Sequence, residues 1–306
     1  MRHEKLNVLL AILLLLVLPL AAGCAADGDD GTDDATMEDT AMEDEMANDD
    51  DYADRMATEH ADDSPEPGFA AGGEGDMEGI ETERVGYADM NGNVVEGYLA
   101  RPAENSHGAP AIIVIHEWWG LNDNVETMAR MLAQQGYQAL AVDLYNGESA
   151  DSPEGARELM SAVDEGTATR NLQQAHHYLT RRLGAEKVGV IGWCFGGAWS
   201  LQSAIALGED LDAAVIYYGR LTSDETQLSK IEAPILGLFG SEDGGIPVSS
   251  VREFETALEN LDKPASIHVY EGANHAFANP SGERYEPEAA KDAWEKTTAF
   301  LDEHLK

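Results

Sequence analysis

The stretch Gly192-Trp193-Cys194-Phe195-Gly196-Gly197 joins Lys187-Val188-Gly189-Val190-Ile191, which reads as a buried strand, to Ala198–Leu207, which reads as a helix. A strand that turns this abruptly into a helix tolerates few side chains. Glycines on either side of the turn let the two backbones approach without a Cβ clash. The residue at the tip is then held out as a nucleophile, the strand–turn–helix arrangement called a nucleophile elbow. Here the tip residue is Cys194, so the nucleophile is a thiol. The N-terminus of the following helix favours negative charge on its sulfur. The alternative reading of the motif alone is a buried structural cysteine in a glycine-rich turn.

The 306 residues do not all belong to one fold. Arg2, His3 and Lys5 form a short basic start, and Leu6 to Leu20 is an apolar run interrupted by Asn7 and Pro19. It is too short to span a bilayer comfortably and ends in Leu20-Ala21-Ala22-Gly23-Cys24. Small residues before a cysteine resemble a bacterial lipobox, although Ala21 stands where the pattern prefers Leu. Residues 1–24 are therefore expected to be a lipoprotein signal peptide, with Cys24 the lipidated residue after cleavage. An ordinary signal peptide with an incidental Cys24 is the alternative. There is no twin-arginine pair, which favours the general secretory route. The expected location is the cell envelope, lipid-anchored to a membrane and facing away from the cytoplasm. Cys24 and Cys194 are the two cysteines. If Cys24 carries lipid, Cys194 has no disulfide partner and must be buried or used.

The net charge of −39 is spread along the chain. Residues 25–78 hold 21 acidic residues against Arg55 alone, and residues 79–306 hold 36 against 16 basic ones. Composition of the first segment, with few large apolar residues, predicts a disordered acidic linker over 25–78. The acidity of the second predicts a halophilic protein, whose self-repulsion is screened by salt. Both exclude a nucleic-acid partner. A monomer is expected.

From Gly79 onward the pattern is that of one α/β domain. Ile80–Ala88 and Val94–Arg101 read as a hairpin around Met90-Asn91-Gly92-Asn93. Ala111–His116 is a continuous apolar run, as in a strand buried on both faces. Further strands are predicted at Tyr137–Leu144, Asp212–Tyr218, Pro234–Phe239 and Ala265–Tyr270, with helices at Asn124–Gln135, Ser152–Glu165, Thr167–Leu183, Asp224–Lys230, Val248–Leu261 and Glu286–Leu305. This alternation implies a doubly wound, mostly parallel sheet with an N-terminal edge hairpin and no large cap domain.

Sites in such sheets lie at the carboxyl ends of the strands. Besides Cys194, three strand ends carry reactive residues. Asp243, in Gly240-Ser241-Glu242-Asp243-Gly244-Gly245, is placed to orient an imidazole. His275, in Gly272-Ala273-Asn274-His275-Ala276-Phe277, is the candidate base, and the order nucleophile, acid, histidine is that of the α/β-hydrolase fold. Glu117, in His116-Glu117-Trp118-Trp119-Gly120, enters an aromatic surrounding that should raise its pKa. Backbone amides of Phe195 and Trp118 are the candidates for an oxyanion hole. Trp119, Tyr145, Trp193 and Phe277 are expected to line the substrate pocket. His116, His176, His177 and His268 lack this context and read as packing or surface residues.

Taken together, these segments resemble the dienelactone hydrolase (carboxymethylenebutenolidase) family from about residue 80 to 305. The segments that carry the resemblance are Ile115–Gly120, Asp143-Leu144-Tyr145, Gly192–Gly197, Asp243–Pro247 and Gly272–Phe277. The resemblance implies a Cys194–Asp243–His275 triad and a Glu117 that pairs with the resting thiol and frees it as thiolate when substrate binds. It implies hydrolysis of small esters or lactones. The residues show no metal cluster or phosphate loop, so no cofactor and no metal are expected. The family's two arginines for a substrate carboxylate are not matched: Asn146-Gly147 and Asn279 stand there, with Arg157 or Arg284 as conceivable substitutes. A non-catalytic envelope binding protein on the same scaffold is the alternative function, and a thiol redox sensor is a weaker one.

Overall fold

The computed structural model describes residues 49–61 and 77–306, with 91 and 105 excepted. The signal peptide, the lipobox at Cys24 and most of the acidic linker lie outside the described residues. Eight strands form one sheet in the order β1-β2-β4-β3-β5-β6-β7-β8. The edge hairpin is β1 (Ile80–Met90) and β2 (Asn93–Pro102), antiparallel to each other, and β2 is antiparallel to β4 (Gln138–Val142). β3 (Ala111–Ile115), β4, β5 (Val188–Trp193), β6 (Ala213–Tyr217), β7 (Ile235–Gly240) and β8 (Ala265–Tyr270) run parallel. β3 to β7 are buried at every position. Their apolar runs have no polar face because helices cover both sides of the sheet.

The strand order reverses at β3, which lies between β4 and β5. With right-handed crossovers, that reversal puts successive helices on opposite faces and opens a crevice at the carboxyl ends of β3 and β5. Glu117 and Cys194 follow those two strands. The expected helices are present as α2 (Asp123–Gln134), α3 (Pro153–Ser161), α4 (Glu165–Arg181), α5 (Phe195–Leu207), α6 (Glu225–Leu228), α7 (Val248–Asn260) and α8 (Pro287–Leu305). Several boundaries shift by a few residues from the sequence reading, and at α3 and α5 the reason is local. α3 stops at Ser161, because Asp164 turns to cap α4 by accepting the Thr167 N–H at 2.8 Å. α5 starts at Phe195 rather than Ala198, so Gly196 and Gly197 lie inside the helix.

The linker also differs from expectation in one place. Asp49–Glu59 is a helix, α1, packed against α3 and the core of the domain. Tyr52, Ala53, Met56 and His60 recur at helical spacing and are all buried. Averaged composition hides such a stripe: one apolar face suffices to dock a helix whose other faces are acidic. None of the described helices is long and apolar enough to cross a membrane.

Candidate active site

Cys194 sits at the tip of the β5–α5 turn with φ 53° and ψ −116°, a conformation that strains a residue with a side chain. The turn is held by close backbone approach. A Cβ on Gly192 would lie 2.1 Å from the Gly196 carbonyl oxygen, and one on Gly196 would lie 2.4 Å from that of Ile115. The Cys194 N–H donates to the Tyr217 carbonyl at 3.0 Å, which ties the cysteine turn to the end of β6. Cys194 itself is fully buried.

Asp243 and His275 meet as the sequence implies. His275 Nδ1 lies 2.8 Å from Asp243 Oδ2, and both side chains are buried. The other carboxylate oxygen of Asp243 accepts the N–H groups of Gly245 and Ile246, each at 2.8 Å. These bonds fix the carboxylate and leave one oxygen for the imidazole. An imidazole nitrogen of His275 is within 4.8 Å of the Cys194 sulfur. Burial alone would raise the thiol's pKa, but the neighbouring charges of His275 and His60 and the contact with His60 outweigh it and bring the pKa to about 6. Burial pushes His275 down, while Asp243 and the Cys194 thiolate push it up further, so its pKa is raised. Both shifts run in the direction of a thiolate–imidazolium pair with a carboxylate behind it.

Glu117 is buried and accepts a 2.7 Å hydrogen bond from the Asn279 amide. Asn279 is in turn held by Ser281, whose N–H and hydroxyl both donate to its side-chain oxygen at 3.0 and 2.6 Å. So the asparagine at one unmatched arginine position is a partner of Glu117. The other, at Asn146-Gly147, is a turn in which the Gly147 N–H donates to Asp143 Oδ2. Arg157 and Arg284 both engage α1: Arg157 Nε pairs with Asp54 at 2.5 Å and Arg284 with Glu59 at 3.6 Å.

The Trp118 and Phe195 backbone N–H groups make no hydrogen bond among the described residues. Trp119, Tyr145, Trp193 and Phe277 are all buried in ring contacts, with Trp118, His116, Tyr217 and Tyr218 respectively. A cavity of about 450 Å³ beside the site is lined by other residues, among them Tyr52, Phe195, Trp199, Arg220 and Gln227. His116 is a packing residue: its Nδ1 meets the Glu117 carbonyl at 2.6 Å, its Nε2 accepts the Leu144 N–H, and burial lowers its pKa.

Sequence reasoning missed two groups. Tyr218, at φ 36°, packs edge-on against His275 at 5.2 Å between ring centres. His60 and Met56 of the linker segment reach the thiol, with His60 Nε2 3.7 Å and Met56 Sδ 3.8 Å from Sγ. The helical stripe Tyr52-Ala53-Met56-His60 was the only signal, and it lies in a segment whose composition reads as tether. Among the described residues, the set of metal-ligating types with donor atoms all within 4.8 Å is His60, Cys194 and His275.

The family model for the dienelactone hydrolase family matches residues 95–305. This chain belongs to the dienelactone hydrolase family. A protein of Saccharolobus solfataricus named "Putative carboxymethylenebutenolidase" is 33% identical over 258 residues, covering 72% of this chain and 98% of that relative. Protein usf of Aquifex pyrophilus is 33% identical over 226 residues, covering 71% of this chain and 96% of that relative. The crystal structure of a "Putative Dienelactone Hydrolase" from Klebsiella pneumoniae superposes with a TM-score of 0.67 at 30% identity, over 73% of this chain and 98% of that one. As in other family members, the sheet is an α/β-hydrolase fold, and the family assigns the chain to the hydrolases of carboxylic esters and lactones.

Proposed function

We propose that this dienelactone hydrolase family member cleaves small esters or lactones by covalent catalysis at Cys194. The observation that supports this most is the buried Asp243–His275 pair beside a cysteine at the elbow. The Cys194 thiolate attacks the acyl carbon, and the carbonyl electron pair moves to oxygen. The Phe195 and Trp118 N–H groups stabilise that oxyanion. As the C–O bond breaks, the His275 imidazolium gives its proton to the departing alkoxide and a thioester remains. Neutral His275, oriented by Asp243, then takes a proton from water as it attacks. Cleavage of the C–S bond releases the carboxylic acid and restores the thiolate. No cofactor enters these steps.

Because Asn279 and Gly147 are committed to internal hydrogen bonds, the two-arginine clamp for an anionic lactone is not offered at those positions. Neutral acyl substrates fit this site better, since a lost bidentate carboxylate contact costs a few kcal/mol. Cys194→Ala should abolish turnover of p-nitrophenyl acetate and of simple lactones, and retained turnover would remove Cys194 from the mechanism. The protein works as a monomer tethered to the envelope through a lipid on Cys24. Cys24→Ser should move it from the membrane fraction to the soluble one.

A further inference from the structure

The nucleophile is approached from a side that the hydrolase domain does not supply. α1 lies over it, and the domain has room for that helix. A Cβ on Gly245 would lie 2.3 Å from Met56 Cε, and one on Gly244 would lie 2.5 Å from Glu59 Oε1. The two residues after Asp243 thus lack side chains where α1 lands. Arg157 pairs with Asp54, and the Arg220 guanidinium lies 5.0 Å from the centre of the Tyr52 ring. The last buried residue of this segment, His60, is set between Trp118 and His275, at 4.6 and 5.2 Å between ring centres.

The protonation of His60 follows from its neighbours. Arg284 Nη2 lies 3.2 Å from His60 Nδ1, and a guanidinium has donors only. His60 Nδ1 must therefore accept, and a proton there would also face a like charge. That leaves the proton of the neutral ring on Nε2, the nitrogen 3.7 Å from the Cys194 sulfur. An N–H directed at sulfur is satisfied best when the sulfur is a thiolate.

We propose that His60, carried on the segment before the hydrolase domain, is a second imidazole of the catalytic centre that donates Nε2–H to the Cys194 sulfur and holds the resting thiol as thiolate. This rests on Cys194 being the nucleophile. It assigns to α1 the contact that the family resemblance expects of Glu117, which here bonds Asn279. His275 remains the proton carrier, because its Nδ1 is held by Asp243 and its other nitrogen is left for the leaving group and water. The cluster of His60, Cys194 and His275 also has the donor types of a zinc site. Zinc would need the Nε2 lone pair of His60, moving its proton to the nitrogen that faces Arg284, so the hydrogen bond is favoured.

The ionisable groups facing the sulfur are Tyr52 of α1, His60 just after it, Tyr145 after β4, Tyr218 after β6 and His275 after β8. Arg284 and Glu59 face His60 from its far side. Burial raises all three tyrosines well above their ordinary range, so they stay protonated in the mildly acidic and neutral range.

The test is the pH dependence of iodoacetamide alkylation at Cys194 in the full-length chain, read by mass spectrometry. His60→Leu keeps bulk and removes the donor, whereas His60→Gln keeps an N–H near the Nε2 position. His60→Leu should raise the midpoint of alkylation by about one pH unit and slow alkylation at pH 6.5 by roughly five- to tenfold, a size typical of losing one hydrogen bond to a charged group. His60→Gln should recover part of that loss, and the thermal midpoints report that both variants are folded. An unchanged midpoint, or faster alkylation in His60→Leu, would reduce His60 to a cover over the thiol and overturn the proposal. So would alkylation of the wild type that rises on EDTA treatment and falls again with zinc, which would make the cluster a metal site. Alkylation does not depend on ester turnover. If Cys194→Ala retains turnover, Cys194 leaves the mechanism and the catalytic role of His60 goes with it, whereas if Cys194→Ala is inactive and the His60 variants alkylate like wild type, the present inference fails alone.

Discussion

Replacing Asp243 by asparagine changes the site by one charge and one proton, and the backbone decides how. Oδ1 of Asp243 accepts two N–H groups, from Gly245 and Ile246, while Oδ2 meets His275. An asparagine keeps its carbonyl oxygen on the two backbone donors, because turning the NH2 toward them would leave both unsatisfied. Its NH2 then faces His275 Nδ1, which must become an acceptor. The proton of the neutral ring moves to Nε2, the wrong nitrogen for taking a proton from water. The lost carboxylate also removes a contact that favours the imidazolium by about one to three pKa units, so the thiolate–imidazolium pair becomes about 10- to 1000-fold rarer. The tautomer adds to this, since it blocks deacylation as well. Asp243→Asn should therefore lower kcat/KM for p-nitrophenyl acetate at least a hundredfold. The pH midpoint of Cys194 alkylation should move up from about 6 toward the ordinary thiol range, because the group that depresses it is weakened. Stopped-flow hydrolysis and the alkylation profile, with circular dichroism to show the fold intact, measure both. A folded Asp243→Asn protein with wild-type kcat and an unmoved alkylation midpoint would refute the ion-pair reasoning.

Gly196→Ala should destabilise the domain by about 1–3 kcal/mol, since its Cβ would lie 2.4 Å from the Ile115 oxygen and 2.6 Å from that of His116, both backbone atoms that move only with β3; urea unfolding reads the loss. Asn279→Leu removes the donor to Glu117 and should cost about 1–3 kcal/mol for a buried acceptor that loses its bond, seen as a lower thermal midpoint. The thermal midpoint of the wild type should rise with added KCl or NaCl, because a net charge of −39 repels itself less when screened, and a flat response would remove the expectation of a halophilic protein.

The sheet and the positions of Cys194, Asp243 and His275 were legible in the residues, and for local reasons. A strand buried on both faces needs a continuous apolar run, and a strained turn between strand and helix needs small residues, so β3, β5 and the elbow leave a mark that requires no knowledge of the rest. The end of α3 could be read from Asp164 only by weighing a cap against a helical pattern that runs past it. What the amino-acid sequence could not disclose is who meets whom across long separations. Glu117 bonds Asn279, 162 positions away, and the Cys194 sulfur meets His60 across 134. Such pairings are set by how helices and loops pack on the ends of the strands, and no residue pattern encodes a partner that distant. The acidic tail shows the same division: its composition declares it a solvated tether, and only packing against Gly244 and Gly245 turns its last buried stripe into a wall of the site. The chain by itself determined a hydrolase scaffold with a thiol at its elbow; the tertiary structure decided what surrounds that thiol, because burial and proximity, which set its charge, exist only once the chain has folded.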